Sequence, residues 1–507
     1  MKRFFIGVDL GTSGIKAGVV SQNLEVVSSS YWEADMEARS PGRMRQDIES
    51  YYEKTLRIIG EVRRKSKVPR GNIDGIAFCG QMGGVIGIDR NFNSITGLDM
   101  GLDIRSEKYN EILHSRLDRL LFQRTCGSPR NTPKILWWKN EHGEIYSKVF
   151  KFVTLTGYVA GKMANLKGEE AFIDYTLISF FGNEDARGLK WDENLNELLE
   201  IDSDKLPRIV SPSSIVGCIC GGAARACGLQ EGTPIVAGLG DQPAGLLGAG
   251  FSRTGMLLDV SGSTVLLFQC VDEFRPDTEK RTVMYIPSAV PGKYYAFSYI
   301  NGGGIDMKWL QDQFSIGRDK SVFNDLNAKA ESVPPGSGGL IFIPYFGGRQ
   351  CPYNAAYRGG WLGLNWGHKR EHLFRAILES IAYDYKIGLE SMDRLFQHPR
   401  DSCLYTCGGG SKNRLWNQIK ADVLGLTVQP IPSYHNTILG CGLLAGHGIG
   451  VFSNIEPDAI RAQGSKIAFA PDHERHAQYE RYSRLYSRLF DITVHNLFDS
   501  LSEIQNE

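Results

Sequence analysis

Asp9, Gly11, Thr12, Ser13 and Gly14 put a carboxylate, two hydroxyls and two glycines into one short stretch of the chain. Such a carboxylate can hold a hydrated metal ion. Glycines let backbone N–H groups approach an anion with no side chain in the way. Thr12 and Ser13 add hydroxyl donors. These are the parts needed to grip a nucleotide phosphate tail. They also suit an ordinary tight hairpin, and on the turn alone the two readings are evenly matched. Apolar arms on both sides, Phe4 to Val8 and Ile15 to Val20, mark strand, turn, strand. That arrangement differs from the strand-to-helix P-loop, and no GxxxxGKS/T occurs nearby.

Asp259-Val260-Ser261-Gly262-Ser263-Thr264 repeats the pattern inside a second apolar hairpin over 256–268. A third site is the strand Cys403 to Cys407, which runs into Gly408-Gly409-Gly410-Ser411-Lys412-Asn413 and a helix through Leu424. Amides at a helix N-terminus favour anions, and glycines admit a flat ribose or base. A plain strand-to-helix turn needs one glycine, not three. Another glycine turn, Asn301 to Gly304, leads into Met307 and Trp309. Asp241 follows the apolar strand from Pro234 and sits beside glycines. A carboxylate there can reach into a cleft as a general base. It also suits a helix N-cap ahead of Pro243, and both roles are compatible. Gln81 and Met82 follow the buried strand Ile73 to Phe78, while Asp103 and Arg105 lie in a polar loop. A sugar needs several such donors and acceptors. Taken alone, Asp103 and Arg105 read as surface-loop residues, and Lys16 reads as a strand residue with its charge at the surface.

The scaffold that must position these groups is large. A chain of 507 residues exceeds what one core usually organises, so two α/β domains are expected, over 1–250 and 251–507. Each would present a hairpin turn to one cleft, with a nucleotide between them. Helical spacing marks 45–65, 106–122, 370–395 and a closing helix around Tyr479 to Leu489; Gly440 to Gly446 reads as a tightly packed small-residue helix. Residues 183–212 are polar and read as an elaboration.

Composition removes other classes. Lys+Arg and Asp+Glu are both 57, so no basic excess points to nucleic acid and no charge run to a membrane surface. Hydrophobic content of 42% and charged content of 22% are those of a soluble globular protein. No signal-peptide or membrane-spanning run is expected. The ten cysteines form no disulfide framework: Cys79 and Cys407 read as core residues, and Cys218, Cys220 and Cys227 lack zinc spacing. His473 and His476 read as a solvated helix face. A cytoplasmic enzyme with reduced cysteines is the expectation.

In order and spacing these motifs resemble the FGGY carbohydrate kinases of the actin/Hsp70/hexokinase superfamily, over nearly the whole chain. Asp9 to Ser13 resembles the first phosphate motif, and Asp259 to Thr264 the second. Gly80-Gln81-Met82-Gly83-Gly84 resembles the GQMHG sugar loop of xylulokinases, with Gly83 in place of histidine. Pro133 to Trp137 resembles the PKLLW helix. Gly240-Asp241-Gln242 resembles the motif of the catalytic aspartate, and Gly408 to Gly410 with Asn413 the adenosine motif. Two further departures are Gly101, where xylulokinases carry tryptophan two residues before the loop aspartate, and Gly347 to Pro352, an altered GERTP segment.

The resemblance implies two actin-like (ribonuclease H-like) α/β domains flanking an ATP/sugar cleft, and a homodimer is compatible with it. It implies that Gly11, Thr12, Ser13, Gly262, Ser263, Thr264, Gly304, Gly408, Gly409, Gly410 and Asn413 bind ATP. It assigns Mg2+ to Asp9 through water, and the sugar to Gln81, Met82, Asp103, Arg105, Asp241 and Gln242. Asp241 is the implied base. A pentulose is the implied acceptor; glycerol, a tetritol or gluconate is the alternative. An actin/Hsp70-type ATPase is a different-class reading, set against by the sugar-loop residues.

Overall fold

Strand β1 (Phe4–Leu10) is buried at every position but its first, because it runs through the middle of a sheet and is covered on both faces. The computed structural model describes residues 2–40, 43–127, 129–314, 320–354, 356–396, 400–432, 435–456, 467–492 and 498. β1 pairs antiparallel with β2 (Gly14–Ser21), which pairs antiparallel with β3 (Val26–Glu33). On its other side β1 pairs parallel with β4 (Ile73–Gly80). An antiparallel edge strand, β5 (Ile215–Cys218), flanks β6 (Pro234–Gly240), and β6 runs parallel to β4. The sheet order is β5-β6-β4-β1-β2-β3.

The second half repeats this plan. β7 (Leu257–Ser261) pairs antiparallel with β8 (Val265–Val271), and β8 with β10 (Tyr294–Ile300); β9 (Met284–Pro287) forms the edge. On the other side β7 runs parallel to β11 (Cys403–Cys407), and β11 to β12 (Thr427–Pro430). The order β10-β8-β7-β11-β12 matches β3-β2-β1-β4-β6 strand for strand. The short echo between the two hairpins therefore extends to five strands and bears out the two actin-like α/β units.

Helices close the sheets. The helix Ile48–Ser66 starts where the Asp47 carboxylate accepts the N–H groups of Glu49 and Ser50, and it packs on β2 and β3. In the second half, helices Arg370–Leu395 and Arg414–Leu424 share a core around the fully buried Trp416. The small-residue helix spans Asn436–Gly448 and crosses back to lie on β1 and on the helix Asp241–Gly248. A β-carbon on Gly7 would meet the Ile438 carbonyl oxygen at 2.4 Å, and one on Gly440 would meet that of Ala244 at 2.1 Å. Small residues are what permit this backbone-to-backbone approach. A division at 250 separates the two sheets but not this helix.

Several local features differ from the pattern reading. β6 runs straight into a helix that begins at Asp241, so Gly240 and not Asp241 occupies the cap position. A strand over Ser94–Met100 carries the chain to Gly101, and its half-polar, glycine-bearing sequence hides it. The polar stretch 183–212 buries Leu195, Leu199, Ile201 and Leu206. His476 is half-buried, with Nδ1 2.7 Å from the Asp422 carbonyl oxygen. Cys79 and Cys407 are buried as expected. Among the described residues, no helix is long and apolar enough to cross a membrane.

Candidate active site

The first hairpin turn opens on a cavity of about 510 Å³ between the two halves. Asp9, Gly11, Thr12, Ser13 and Lys16 line it from one side, and Val260, Cys407 and Gly408 from the other. Two long-range bonds fix the turn: Tyr51 Oη donates to the Gly11 carbonyl at 2.9 Å and Gln46 Nε2 to that of Thr12 at 2.9 Å. Asp9 is 5% exposed, and its Oδ2 accepts from Thr437 Oγ1 at 3.0 Å. Lys16 stands opposite Asp9 in the β1–β2 register, with its amine 3.5 Å from the carboxylate. Its charge thus belongs to the cavity wall instead of the outer surface, because directly opposed residues share a sheet face.

A second cavity of about 500 Å³ adjoins the first. Gln81, Met82, Gly83, Gly101, Leu102 and Arg130 line one side; Thr264, Leu266, Phe297, Tyr299 and Gln350 line the other. Amides, hydroxyls and a guanidinium alternate there with apolar surface, which suits a small polyhydroxylated ligand. Thr12, Asp241 and Gln242 line both cavities.

Asp241 is therefore at the junction, and the local fold explains how. β6 carries Gly238 at φ +94°, where a β-carbon would lie 2.1 Å from the Phe78 carbonyl oxygen, so only glycine fits. The next-but-one amide, Gly240 N–H, donates to Thr176 Oγ1 at 2.9 Å. The Asp174 carboxylate accepts from both the Thr176 hydroxyl and the Thr176 N–H. This chain of bonds pins the backbone immediately before Asp241, whose Oδ1 accepts from Gln242 N–H at 2.7 Å. Loss of hydration, reinforced by the neighbouring Asp9 carboxylate, raises the Asp241 carboxyl to about 7; the Gln242 N–H and Lys16 oppose the shift. A base with that affinity suits proton transfer near neutral pH.

The second-half residues form one continuous patch. Gly304 N–H donates to the Gly262 carbonyl at 3.1 Å, and Ile305 N–H to that of Ser263 at 3.0 Å. Gly408, at φ +89°, would place a β-carbon 2.5 Å from the Ser261 carbonyl oxygen. A β-carbon on Gly410 would strike Trp416 and Ser261, whereas one on Gly409 would meet nothing. Asn413 caps the helix 414–424 through Trp416 N–H and donates to Asn327 Oδ1 at 2.9 Å. Of this set, Thr264 reaches the second cavity and Gly408 the first.

Asp103 and Arg105 stand behind the second cavity, not on its wall. Arg105 Nε donates to both Asp103 oxygens at 2.8 and 2.9 Å, and its guanidinium also pairs with Asp99 at 2.5 Å. Lys134 Nζ donates to the Asp103 carbonyl at 3.1 Å. The cluster fixes the segment from which Gly101 and Leu102 face the cavity.

Comparison with known proteins gives this two-sheet, two-cavity arrangement its family. The N-terminal-domain signature of the FGGY family of carbohydrate kinases matches residues 4–248, and the C-terminal-domain signature matches 263–449. The chain belongs to the FGGY family of carbohydrate kinases. It is 26% identical over 507 residues to a xylulose kinase of Staphylococcus epidermidis, covering 99% of each chain. It is 26% identical over 519 residues to a gluconokinase of Bacillus subtilis, covering 100% of this chain and 99% of that one. The fold superimposes on a gluconate kinase of Lactobacillus acidophilus with a TM-score of 0.88, at 21% identity, over 98% of this chain and all of the other. This FGGY protein is thus an ATP-dependent sugar kinase and not an ATPase of the actin/Hsp70 type.

Pattern reading missed several residues of the FGGY cleft. Thr437 meets Asp9 across 428 positions of sequence, and Thr176 meets Gly240 across 64. Arg130 reaches the second cavity from the loop before the helix Thr132–Glu141. Lys16 alone carried a usable signal, being the cross-strand neighbour of Asp9.

Proposed function

We propose that the enzyme transfers the γ-phosphoryl group of ATP to a hydroxyl of a small sugar, with Asp241 as general base. The observation that carries this reading is the position of Asp241 on the shared wall of both cavities. Gln81, Met82 and Gln242 orient the sugar in the second cavity, so that one hydroxyl donates to Asp241. Asp241 takes that proton as the hydroxyl oxygen attacks the γ-phosphorus. The bond from phosphorus to the β–γ bridging oxygen breaks, and its electron pair leaves on ADP. The turns at 11–13 and 262–264 flank the phosphates, while Gly304, Gly408 to Gly410 and Asn413 shape the adenosine side. Lys16 places a positive charge in the phosphate cavity. Such a transfer rests mainly on positioning and charge neutralisation, and closure of the halves excludes competing water.

Asp9 suits a hydrated Mg2+, since it faces the phosphate cavity as a carboxylate. Among the described residues no group of three or more His, Cys, Asp and Glu side chains is placed to hold a metal. Asp9 would hold the ion through water, and the ion, when bound, would neutralise phosphate charge. Asp103 and Arg105 act on the sugar through the wall at 101–102.

A pentulose acceptor is supported by the xylulose kinase relatives. A sugar acid is supported by the gluconokinase relative and by Arg130 on the cavity wall. The test is ADP release over a panel of ketoses, polyols and aldonates. Release that rises with one of them is expected; release that no acceptor changes contradicts the proposal.

A further inference from the structure

The corner of the second cavity formed by Gly83, Gly101 and Arg130 is built differently from the rest of its wall. Gly83 and Gly101 lie back to back. A β-carbon on Gly83 would come 3.3 Å from Gly101 Cα and 3.8 Å from Arg130 Cβ, and one on Gly101 would come 3.2 Å from the Gly83 carbonyl oxygen. A side chain at either position would press on the other's backbone by a few tenths of an ångström, and as glycines the two leave the corner to Arg130. The backbone there is fixed: Arg130 N–H donates to the Phe180 carbonyl at 2.9 Å, and Asn131 Oδ1 accepts Gly84 N–H at 2.7 Å.

Charge is the second observation. A guanidinium carries five N–H donors and a permanent positive charge. The side-chain contact found for Arg130 is a long one, 3.4 Å to Gln350 Oε1, and among the described residues it makes no ion pair. Asp99 and Asp103 face Arg105 and Lys134, two carboxylates against two cations, so that cluster is neutral within itself. Arg281 pairs with Asp118. Among the described residues on the cavity wall Asp241 is the one carboxylate, and it also borders the phosphate cavity. A partly desolvated cation without a counter-charge is costly, and an anionic ligand removes that cost. Arg130 lines the second cavity together with Gln81 and Met82 of the sugar loop and does not line the first, which puts it on the acceptor side.

We infer that the acceptor is a sugar acid whose carboxylate is held by Arg130 in the Gly83–Gly101 corner. The inference rests on the kinase reading above and narrows it. The planar guanidinium fork matches a carboxylate in a two-pronged geometry. One guanidinium balances a monoanion, whereas a phosphate ester would bring a charge it cannot neutralise. Arg130 acts as a specificity-determining residue, and its effect falls on binding.

The experiment measures kcat and KM by ADP release for pentonates and hexonates, including gluconate. The matching ketoses and polyols, including xylulose and glucitol, are run beside them, with a sugar phosphate as a further arm. Wild type is expected to favour an aldonate over its neutral counterpart by about 10- to 100-fold in kcat/KM, the value of a hydrogen-bonded charge pair. Arg130→Gln is expected to remove that preference through KM, and Arg130→Lys, which keeps the charge without the fork, to keep part of it. Thermal unfolding of both variants checks the fold. A wild-type preference for a ketose, a polyol or a sugar phosphate overturns the inference while leaving the kinase reading intact, as does an aldonate preference that survives in Arg130→Gln. ADP release that no compound of any class raises overturns the kinase reading itself.

Discussion

Asp9 and Asp259 stand on equivalent first strands of two five-strand units, each with a threonine hydroxyl and a lysine as partners, yet only one of them borders a cavity. Asp259 is fully buried. It accepts from Tyr385 Oη at 2.7 Å, Thr406 Oγ1 at 2.8 Å and Ser261 Oγ, and it pairs with the equally buried Lys420. Lys420 also donates to Ser261 Oγ at 2.6 Å and lies 3.8 Å from the Trp416 ring centre. Asp9 borders a cavity instead, and its partners are Thr437 and the half-exposed Lys16. The register shows the origin of the difference: Asp9 is opposed by Lys16, and Asp259 by Leu267. A repeated motif thus fixes the strand plan while its neighbours assign the role. One carboxylate ties its hairpin into a core, and the other stays available to the cleft.

The contrast breaks most easily at its buried end. Asp259→Ala leaves Lys420 buried without a counter-charge and is expected to cost about 3–5 kcal/mol in urea unfolding. Asp9→Ala is expected to cost less than about 1 kcal/mol, because water and Lys16 remain beside it. Replacing Asp259 and Lys420 together by leucine and methionine should recover most of the loss. Equal destabilisation by the two single alanine variants would remove the distinction.

Activity sharpens the other end. Asp9→Asn is expected to lower kcat/KM by about 10- to 100-fold, as for groups that act on a metal through its outer shell. That is about 1.4–2.7 kcal/mol, with the Mg2+ requirement moved to higher concentration. An unchanged Mg2+ titration would place Asp9 outside the metal's reach. Thr176→Val removes the acceptor for Gly240 N–H and should cost about 1–2 kcal/mol of stability, with kcat falling as Asp241 loses its anchor. A stability loss with unchanged kcat would show that the anchor does not aim the base.

The smallest effect is a pH-dependent one. The Asp241 carboxyl is raised to about 7, so the folded protein keeps a proton there that the unfolded chain releases at ordinary carboxylate pH. Stability from this group is present in acid and is lost as pH rises through about 7. Asp241→Asn should therefore raise the melting temperature at pH 8, by the equivalent of about 1 kcal/mol after screening by cleft water. The gain should vanish near pH 4. A gain that does not depend on pH would refute the shift.

Both hairpins, the strand before Asp241 and the triple glycine at 408 were legible because hydrophobic alternation and glycine clustering are local signals. The repeat was legible only as two short echoes, since strand order depends on pairings far apart in the chain. The helix after β6 was legible from Asp241 and Pro243, but its cap was not, because Gly238 serves a strand bulge and Gly240 the cap. Asp103 and Arg105 were found as a pair, but their facing each other instead of the cavity follows from Asp99 and Lys134, which the loop sequence does not reveal. Thr437, Thr176 and Arg130 have no local signature at all. Their roles arise when the helix 436–448 crosses back and the loop before Thr132 folds against Gly84.

On the proposed mechanism one carboxylate at the junction of two cavities moves the acceptor's proton. Asp241→Asn, assayed for acceptor-dependent ADP release at saturating ATP and acceptor, tests it most directly. A fall in kcat of about 10²- to 10⁴-fold is expected, with little change in acceptor KM and loss of the rise in activity with pH through about 7. A variant that turns over at near the wild-type rate, with the same pH profile, would contradict it.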